Sequence, residues 1–186
     1  MIEEEIKKDC WDKRFYSFGT AKIFEQRARQ LYTKRQWIVF LGLLSPVTIG
    51  AFVASFSINS EALKTYIIPI AGTVAVIQAV LSIWSLVMKW DERYSYAISA
   101  IKINTNITSE FEALAKTKPT YIKNNIKRMN EIYLRQEIED SSQHITDKEK
   151  RYAMRHALFQ YKNECKTCLK IPSSLSPTTC DTCGNF

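Results

Sequence analysis

The fold is decided by two apolar stretches, WIVFLGLLSPVTIGAFVASFSI at Trp37–Ile58 and YIIPIAGTVAVIQAVLSIWSLVM at Tyr66–Met88. Neither stretch contains a charged residue. Each reaches the ~20 residues that a helix needs to cross a hydrocarbon core about 30 Å thick. The sequence therefore predicts two membrane-spanning helices, joined by a short extracytoplasmic connector at 59–65.

Two other interpretations of these stretches fit the sequence poorly. A signal peptide does not fit the first stretch, because 36 mostly polar residues precede it and it exceeds an ordinary apolar signal region. A buried pair of core helices does not fit, because the rest of the 186-residue chain is too small and too polar to enclose them. We therefore expect an all-α membrane protein built on a transmembrane hairpin.

The basic residues give the hairpin a direction. Five Lys or Arg residues lie between positions 20 and 36, before the first span, and Lys89, Arg93 and Lys102 follow the second, whereas the connector carries Lys64 alone. Because Lys and Arg are enriched in cytoplasmic flanks, both termini are predicted to be cytoplasmic. Aromatic residues at the span ends are the expected interfacial anchors. They are Trp37, Trp84 and Trp90 on the cytoplasmic side and Tyr66 on the other.

Each span also carries a line of mostly polar side chains at helical spacing. The first line is Ser45, Thr48, Phe52 and Ser55, and the second is Gln78, Ser82 and Ser85. Packing between helices is one explanation, because small and hydroxyl side chains allow close approach in membranes. The alternative is that several hairpins assemble into a homo-oligomer and these lines face a conduit. An amide near the bilayer centre is costly without a partner, which favours higher assembly for Gln78.

The polar parts of the chain are predicted to be cytoplasmic helices. Residues 1–36 form an amphipathic helix that lies on anionic headgroups or packs on other helices, and Gly19 is a candidate break. No helix breaker occurs between Met88 and Pro119, so the second span is expected to continue as one long helix. A further helix follows Pro119, and a Thr146/Glu149 capping box opens the last one. These helices make a bundle over 89–164.

Residues 165–186 contain four cysteines with metal-ligand spacing. Cys165, Cys168, Cys180 and Cys183 form C-x2-C-x11-C-x2-C. Two such pairs supply the four thiolates of a closed tetrahedral site, so one structural Zn²⁺ in a small zinc-knuckle module is predicted. Disulfides suit a reducing cytoplasm poorly, and an iron–sulfur or redox role is the remaining alternative. Gly184 suits the tight turn after the second pair, and Lys166 and Lys170 are expected to offset the negative charge.

No catalytic constellation is recognisable in the sequence. His144 and His156 are separate, the acidic runs at 3–5 and 137–140 are scattered, and Cys10 is expected to be an ordinary buried thiol. We therefore do not expect an enzyme. The formal net charge of +7 comes largely from residues beside the spans, so the lipid bilayer rather than nucleic acid is the expected partner.

The hairpin, the helical extension and the C-x2-C-x11-C-x2-C tail together resemble the mobilome CxxCx(11)CxxC proteins and, beyond them, the SLATT group (SMODS- and SLOG-associating two-span effectors). The resemblance covers essentially the whole chain, and the four cysteines are its specific part. It implies an antiviral effector in a prokaryotic inner membrane that forms a pore, depolarises the membrane and causes abortive infection. A sensor or nucleotide-signalling partner would trigger it. Because no nucleotide-binding domain is recognisable here, the signal would be read by that partner or by the cytoplasmic helices.

Two other functions remain open from the sequence. A membrane-anchored scaffold would use the zinc tail to recruit a soluble partner, without any pore. A membrane redox protein would hold iron instead of zinc.

Overall fold

The computed structural model describes residues 2–55, 63–117 and 119–186, and it is helical over most of these ranges. Five α-helices follow one another, with one π-helical turn at Leu63–Ile67. The α-helices are α1 (Ile2–Ser55), α2 (Ile68–Val87), α3 (Trp90–Lys116), α4 (Pro119–Ser141) and α5 (Asp147–Tyr161). No β-strand occurs in the described ranges, so the prediction of an all-helical protein is confirmed.

The chain divides into two compact units. The terminal unit comprises Met1–Arg27 and Tyr96–Phe186, and the apolar unit comprises Ala28–Ser95. The four cysteines lie in the terminal unit, and both apolar stretches lie in the apolar unit.

The first core of the terminal unit joins α1, α3 and α4. Residues of α3 at helical spacing, Ile107, Phe111 and Leu114, pack with Cys10 of α1 and Met129 of α4. A stripe of apolar residues three or four positions apart faces one side of a helix, which is why α3 buries this side. Cys10 is fully buried, as predicted, and its burial raises the pKa of its thiol.

The predicted break at Gly19 is wrong. α1 runs through Gly19 without interruption. A β-carbon built on Gly19 would lie 3.3 Å from Cβ of Ala153 on α5, so the glycine permits close approach of the two helices. The packing of α1 on α5 therefore depends on the small size of Gly19 and not on its conformational freedom.

The predicted capping box at the start of α5 is confirmed. The Thr146 side chain accepts from the Glu149 backbone N–H, and the Glu149 carboxylate accepts from the Thr146 backbone N–H. Arg27 of α1 adds a forked ion pair to the same carboxylate and donates at 2.8 Å to the Gln143 carbonyl. Burial alone would raise the pKa of Glu149, but the hydrogen bonds from Arg27 and Thr146 lower it overall. The carboxylate thus fixes the turn between α4 and α5 to α1.

A buried carboxylate links α3 to α4. Asp140 of α4 accepts hydrogen bonds from Tyr96 Oη at 2.7 Å, Gln136 Nε2 at 2.8 Å and Asn104 Nδ2 at 2.8 Å. Burial and the hydrogen bond to Asp140 raise the pKa of Tyr96, so Tyr96 stays a neutral donor. Both oxygens of the buried carboxylate therefore have partners, as buried polar groups require.

In the apolar unit, α2 exposes a mostly apolar surface. The segment Thr65–Val87 is, among the described residues, the one helical stretch that is long and apolar enough to cross a membrane by length and composition. None of the residues of α2 is buried. The first predicted span occupies the end of α1, and its last residues, 56–58, lie outside the described residues. Most of the predicted connector, 59–62 of 59–65, also lies outside them.

Contacts within the apolar unit run antiparallel. A β-carbon built on Gly42 of α1 would lie 3.2 Å from Nε2 of Gln78 on α2. Earlier in α1, Lys34 Nζ lies 5.3 Å from the centroid of the Trp90 ring of α3. The partner of Lys34 thus lies later in the chain than the partner of Gly42, although Lys34 precedes Gly42 in α1. The two helical segments therefore run in opposite directions.

The second predicted span does not continue unbroken into α3, which corrects the prediction of one long helix. α2 ends at Val87, and α3 begins at Trp90. Between them Lys89 has φ 53°, in the left-handed region, and its N–H bonds to the Leu86 carbonyl at 3.1 Å. A left-handed residue after a helix closes its last turn and ends it. Lysine carries no sequence signal for this conformation, since glycine and asparagine usually occupy it.

Substitution of Gly42 tests the helix contact. Gly42→Leu should lower the melting temperature of the protein in detergent, because overpacking against Gln78 costs about 1–3 kcal/mol. Gly50→Leu is the matched control, since a β-carbon built on Gly50 meets nothing within 4 Å. Equal melting temperatures for the two variants, measured by circular dichroism, would contradict the contact.

Candidate metal centre

The two C-x2-C pairs form similar turns. The Leu169 N–H donates to the Cys165 carbonyl, and the Gly184 N–H donates to the Cys180 carbonyl, each at 2.8 Å. Between the turns, the hydroxyls of Thr167 and Thr182 lie 2.6 Å apart. Each turn therefore presents its two cysteines to the other in the same way.

The structure brings all four predicted ligands together. Their Sγ atoms all lie within 4.8 Å of one another. Cys165 and Cys180 are 3.9 Å apart at sulfur, and Cys168 and Cys183 are 3.8 Å apart. A tetrahedral ion with metal–sulfur bonds of about 2.3 Å has sulfur–sulfur edges of about 3.8 Å, whereas a disulfide needs about 2.05 Å. The four cysteines are thus placed to hold one metal ion.

Backbone amides stabilise the thiolate form of two ligands. The N–H groups of Cys183 and Thr182 donate to Cys180 and lower the pKa of its thiol to about 7. Burial would raise the pKa of Cys165, but the N–H groups of Cys168 and Thr167 lower it overall. Cys183 differs, because burial and the neighbouring thiols raise its pKa to about 12. Without a cation the site therefore resists full ionisation, and a bound metal ion would remove that resistance.

The metal centre is packed onto the helices instead of hanging free as a tail. Cys165 and Cys183 are buried in a second hydrophobic cluster with Leu158 of α5. Phe15 of α1 and Met154 of α5 pack against the same cluster. Nothing in the cysteine spacing pointed to these helices, because the packing joins residues far apart in the sequence.

Two arginines of α5 bind the C-terminal residues that carry the cysteines, and the sequence reasoning missed both. Arg155 Nε donates to the Ser174 carbonyl at 2.9 Å, and its Nη1 lies 4.0 Å from Cys183 Sγ. Arg151 Nη1 donates to the Asn185 carbonyl at 2.8 Å. Lys166 and Lys170, which the sequence suggested as the compensating charges, are exposed. In the sequence, the one sign of this role is that Arg151 and Arg155 are four residues apart and so share one face of α5.

Position 184 requires glycine because there is no room for a side chain there. Its φ is not positive, whereas Leu169 at the equivalent position has φ 53°. A β-carbon built on Gly184 would lie 2.5 Å from the Thr178 carbonyl oxygen and 2.8 Å from the Cys180 nitrogen. The predicted role of Gly184 in the tight turn thus has a specific cause, which is close approach to the loop before Cys180.

The two lines of polar side chains in the predicted spans differ in how far they are buried. Ser45 is half-buried, and Thr48 and Ser55 are exposed. All three hydroxyls donate to carbonyls of α1 itself, at 2.8 to 3.0 Å. On α2, the residues Gln78, Ser82 and Ser85 are half-buried along one side. The side chain of Phe52 lies outside the described residues.

The predicted interfacial aromatics also differ in environment. Trp37, Tyr66 and Trp84 are exposed. Trp90 is half-buried and lies beneath the ammonium group of Lys34. Three of the four anchors therefore present their rings to the surroundings of the apolar unit.

The described residues define a class of all-helical proteins with one strongly apolar helix and four cysteines placed to hold a metal ion. The sequence model of the Mobilome CxxCx(11)CxxC protein family matches residues 7–186. The chain therefore belongs to the mobilome CxxCx(11)CxxC family. No curated protein and no solved structure matches it.

Metal analysis tests the centre. The purified protein should contain one equivalent of metal, and a Cys165→Ser, Cys180→Ser variant should lose it. Binding should weaken as the pH falls, because protons compete with the metal for the thiolates, and it should weaken more steeply below about 7, the pKa of Cys180. Cys10→Ala is the control, since Cys10 is buried in the other core. Elemental analysis that finds full metal in the double variant, or none in the unmodified chain, would refute the site.

Proposed function

We propose that this protein is a membrane effector of a prokaryotic anti-phage or conflict system, similar to the SLATT group. It crosses the inner membrane twice with both termini in the cytoplasm, oligomerises, and forms a pore when a sensor partner triggers it. The observation that carries the proposal is the helical stretch Thr65–Val87, which is 23 residues long and apolar. Because no residue of α2 is buried, this surface needs lipid or other chains around it.

The end of α1 supports a second span. The 19 residues Trp37–Ser55 have no charge and extend over about 28 Å as a helix, close to the thickness of a hydrocarbon core. Many of their large apolar side chains are exposed. They include Trp37, Val39, Phe40, Leu43, Leu44 and Val47. The antiparallel contact of Gly42 with Gln78 fits two spans that form a hairpin.

The basic residues at one end of the helix pair support the orientation. Lys34 lies over Trp90, and Arg35 pairs with Asp91. The positive flank of the first span thus meets the flank of the second, which begins with Lys89. Positively charged flanks favour the cytoplasmic side, so this end of the pair faces the cytoplasm in the proposal.

Zinc is the metal that we propose for the four-cysteine centre. Four thiolates at the edges of a closed tetrahedron match the structural zinc sites of proteins. All four positions are taken by protein ligands, so the ion would fix the C-terminal residues to α1 and α5 and would not catalyse a reaction. This proposal agrees with the expectation that the protein is not an enzyme.

Pore formation requires the polar residues to leave their present contacts. Gln78 lies against Gly42, and the hydroxyls of Ser45, Thr48 and Ser55 are satisfied within α1. We assign this arrangement to the resting state. A trigger that moves α1 away from α2 would release the Gln78 amide, and assembly of several copies around water would stabilise it.

Dye release from liposomes tests the pore. At high protein density the full chain should form ring-shaped oligomers and release a small trapped dye, and Gln78→Leu should reduce the release severalfold because it removes the amide. Thr73→Val is the matched control, since the exposed Thr73 hydroxyl already donates to the Pro69 carbonyl. A protein that stays monomeric or dimeric and releases no dye would refute the pore.

A membrane-anchored scaffold is the second candidate, and the exposed apolar residues beside the metal centre favour it. Leu169 is 73% exposed, and Ile171 and Leu175 are also exposed. Leu169 also has φ 53°, an uncommon conformation for a leucine. Such a patch fits a soluble partner recruited to the membrane.

Truncation and surface variants separate the two functions. Deletion of 162–186 should abolish all activity of a scaffold, whereas a pore should keep its toxicity or become constitutively active. Because the deletion also uncovers Phe15 and Leu158, a second variant, Leu169→Ser with Ile171→Ser, leaves the cysteines in place. We expect this variant to keep the dye release of the unmodified chain. Loss of cellular activity in both variants, with no dye release by any form, would favour the scaffold.

A further inference from the structure

Arg155 is a buried cation without a carboxylate partner. It lies on α5 and is 6% exposed. Among the described residues, no ion pair joins it to an aspartate or glutamate. Its contacts are the Ser174 carbonyl, 2.9 Å from Nε, and Cys183 Sγ, 4.0 Å from Nη1. A buried charge is unfavourable unless an opposite charge accompanies it.

The sulfur cluster is the counter-charge that this environment offers. A divalent ion on four thiolates leaves a net charge of about −2 at the centre. Four neutral thiols would leave Arg155 with a backbone carbonyl and a weakly accepting sulfur. The buried guanidinium is therefore matched to the metal-bound, ionised form of the centre.

We propose that Arg155 is the positioning residue of the metal centre, a buried cation that offsets the charge of the thiolates without touching the ion. Through Ser174 it holds the loop between the two cysteine pairs, and through Cys183 it holds the second pair. Occupation of the centre is consequently coupled to docking of the C-terminal residues on α5. The inference depends on metal binding by the four cysteines and is independent of any pore.

Arg151 provides a matched comparison on the same helix. It lies one turn before Arg155, and its guanidinium donates to the Asn185 carbonyl at 2.8 Å. Arg151 thus also binds the C-terminal residues, but it has no sulfur contact among those that the structure describes. Removal of its charge costs a docking contact and leaves the charge beside Cys183 unchanged.

Cobalt binding tests the proposal in the full chain, purified in nanodiscs. Co²⁺ is the probe, because its sulfur-to-metal absorption reports the charge on the thiolates, and titration with a chelator gives the affinity. Arg155→Gln retains a donor for the Ser174 carbonyl but loses the charge. It should weaken Co²⁺ binding roughly tenfold or more, the usual effect of residues beside metal ligands, and shift the absorption band.

Two further variants separate charge from shape. Arg155→Lys keeps the charge and should remain close to the unmodified chain in both affinity and absorption, whereas Arg151→Gln should change neither. Equal behaviour of Arg155→Gln and Arg151→Gln would overturn the proposal, and so would a loss in Arg155→Lys as large as that in Arg155→Gln. If Arg155→Gln does not fold, the Co²⁺ affinity of Arg155→Lys tests the proposal. An affinity close to that of the unmodified chain supports it, and a loss of roughly tenfold or more overturns it. Absence of Co²⁺ and Zn²⁺ binding by the unmodified chain would overturn the metal centre itself, while failure of dye release would affect only the pore.

Discussion

Each unit depends on the contacts that α1 makes within it. This one helix, Ile2–Ser55, supplies Cys10 to the first core, Phe15 to the cluster around the metal centre, and Arg27 to the turn before α5. In the apolar unit the same helix supplies Gly42 to the contact with Gln78. Most helical stability in proteins comes from packing of this kind and not from intrinsic propensity. α1 is accordingly the element against which each unit is built.

The sequence predicted the features that depend on local pattern. Apolar composition predicted a span at Tyr66–Met88, close to the helical stretch Thr65–Val87. The Thr146/Glu149 pair located the start of α5, and cysteine spacing located the four clustered cysteines. These signals are local, because each depends on residues at most a few turns apart or on a fixed spacing. The family match agrees with the part of the sequence reasoning that used the cysteines.

The sequence did not predict features that depend on a distant partner. The sequence predicted a helix break at Gly19, but the glycine is instead explained by its close packing against Ala153 of α5. Lys89 carried no sign of its left-handed conformation, and Arg155 gave no sign that it would be buried beside Cys183. In each case the deciding contact or conformation arises only after the chain has folded. Propensity and periodicity contain no information about such contacts.

Two carboxylates of the terminal unit, Asp140 and Glu149, each accept several hydrogen bonds. Asp140 is surrounded by three neutral donors, whereas Glu149 is paired with a guanidinium. Such groups add directional constraints that apolar contacts lack, since each hydrogen bond permits a narrow range of geometry. The helices of this unit are therefore held in register by polar contacts as well as by the two apolar clusters.

The break at Lys89 has a consequence for how the gene tolerates changes in length. Within an unbroken helix, one inserted residue turns every later side chain by about 100° around the axis. An insertion between Cys10 and Arg27 of α1 would therefore turn one of these side chains away from its contacts in the terminal unit. At Met88–Lys89 the helical phase is already interrupted, so a residue gained or lost there need not rotate α3. Natural relatives should accordingly vary in length at this point before they vary within α1.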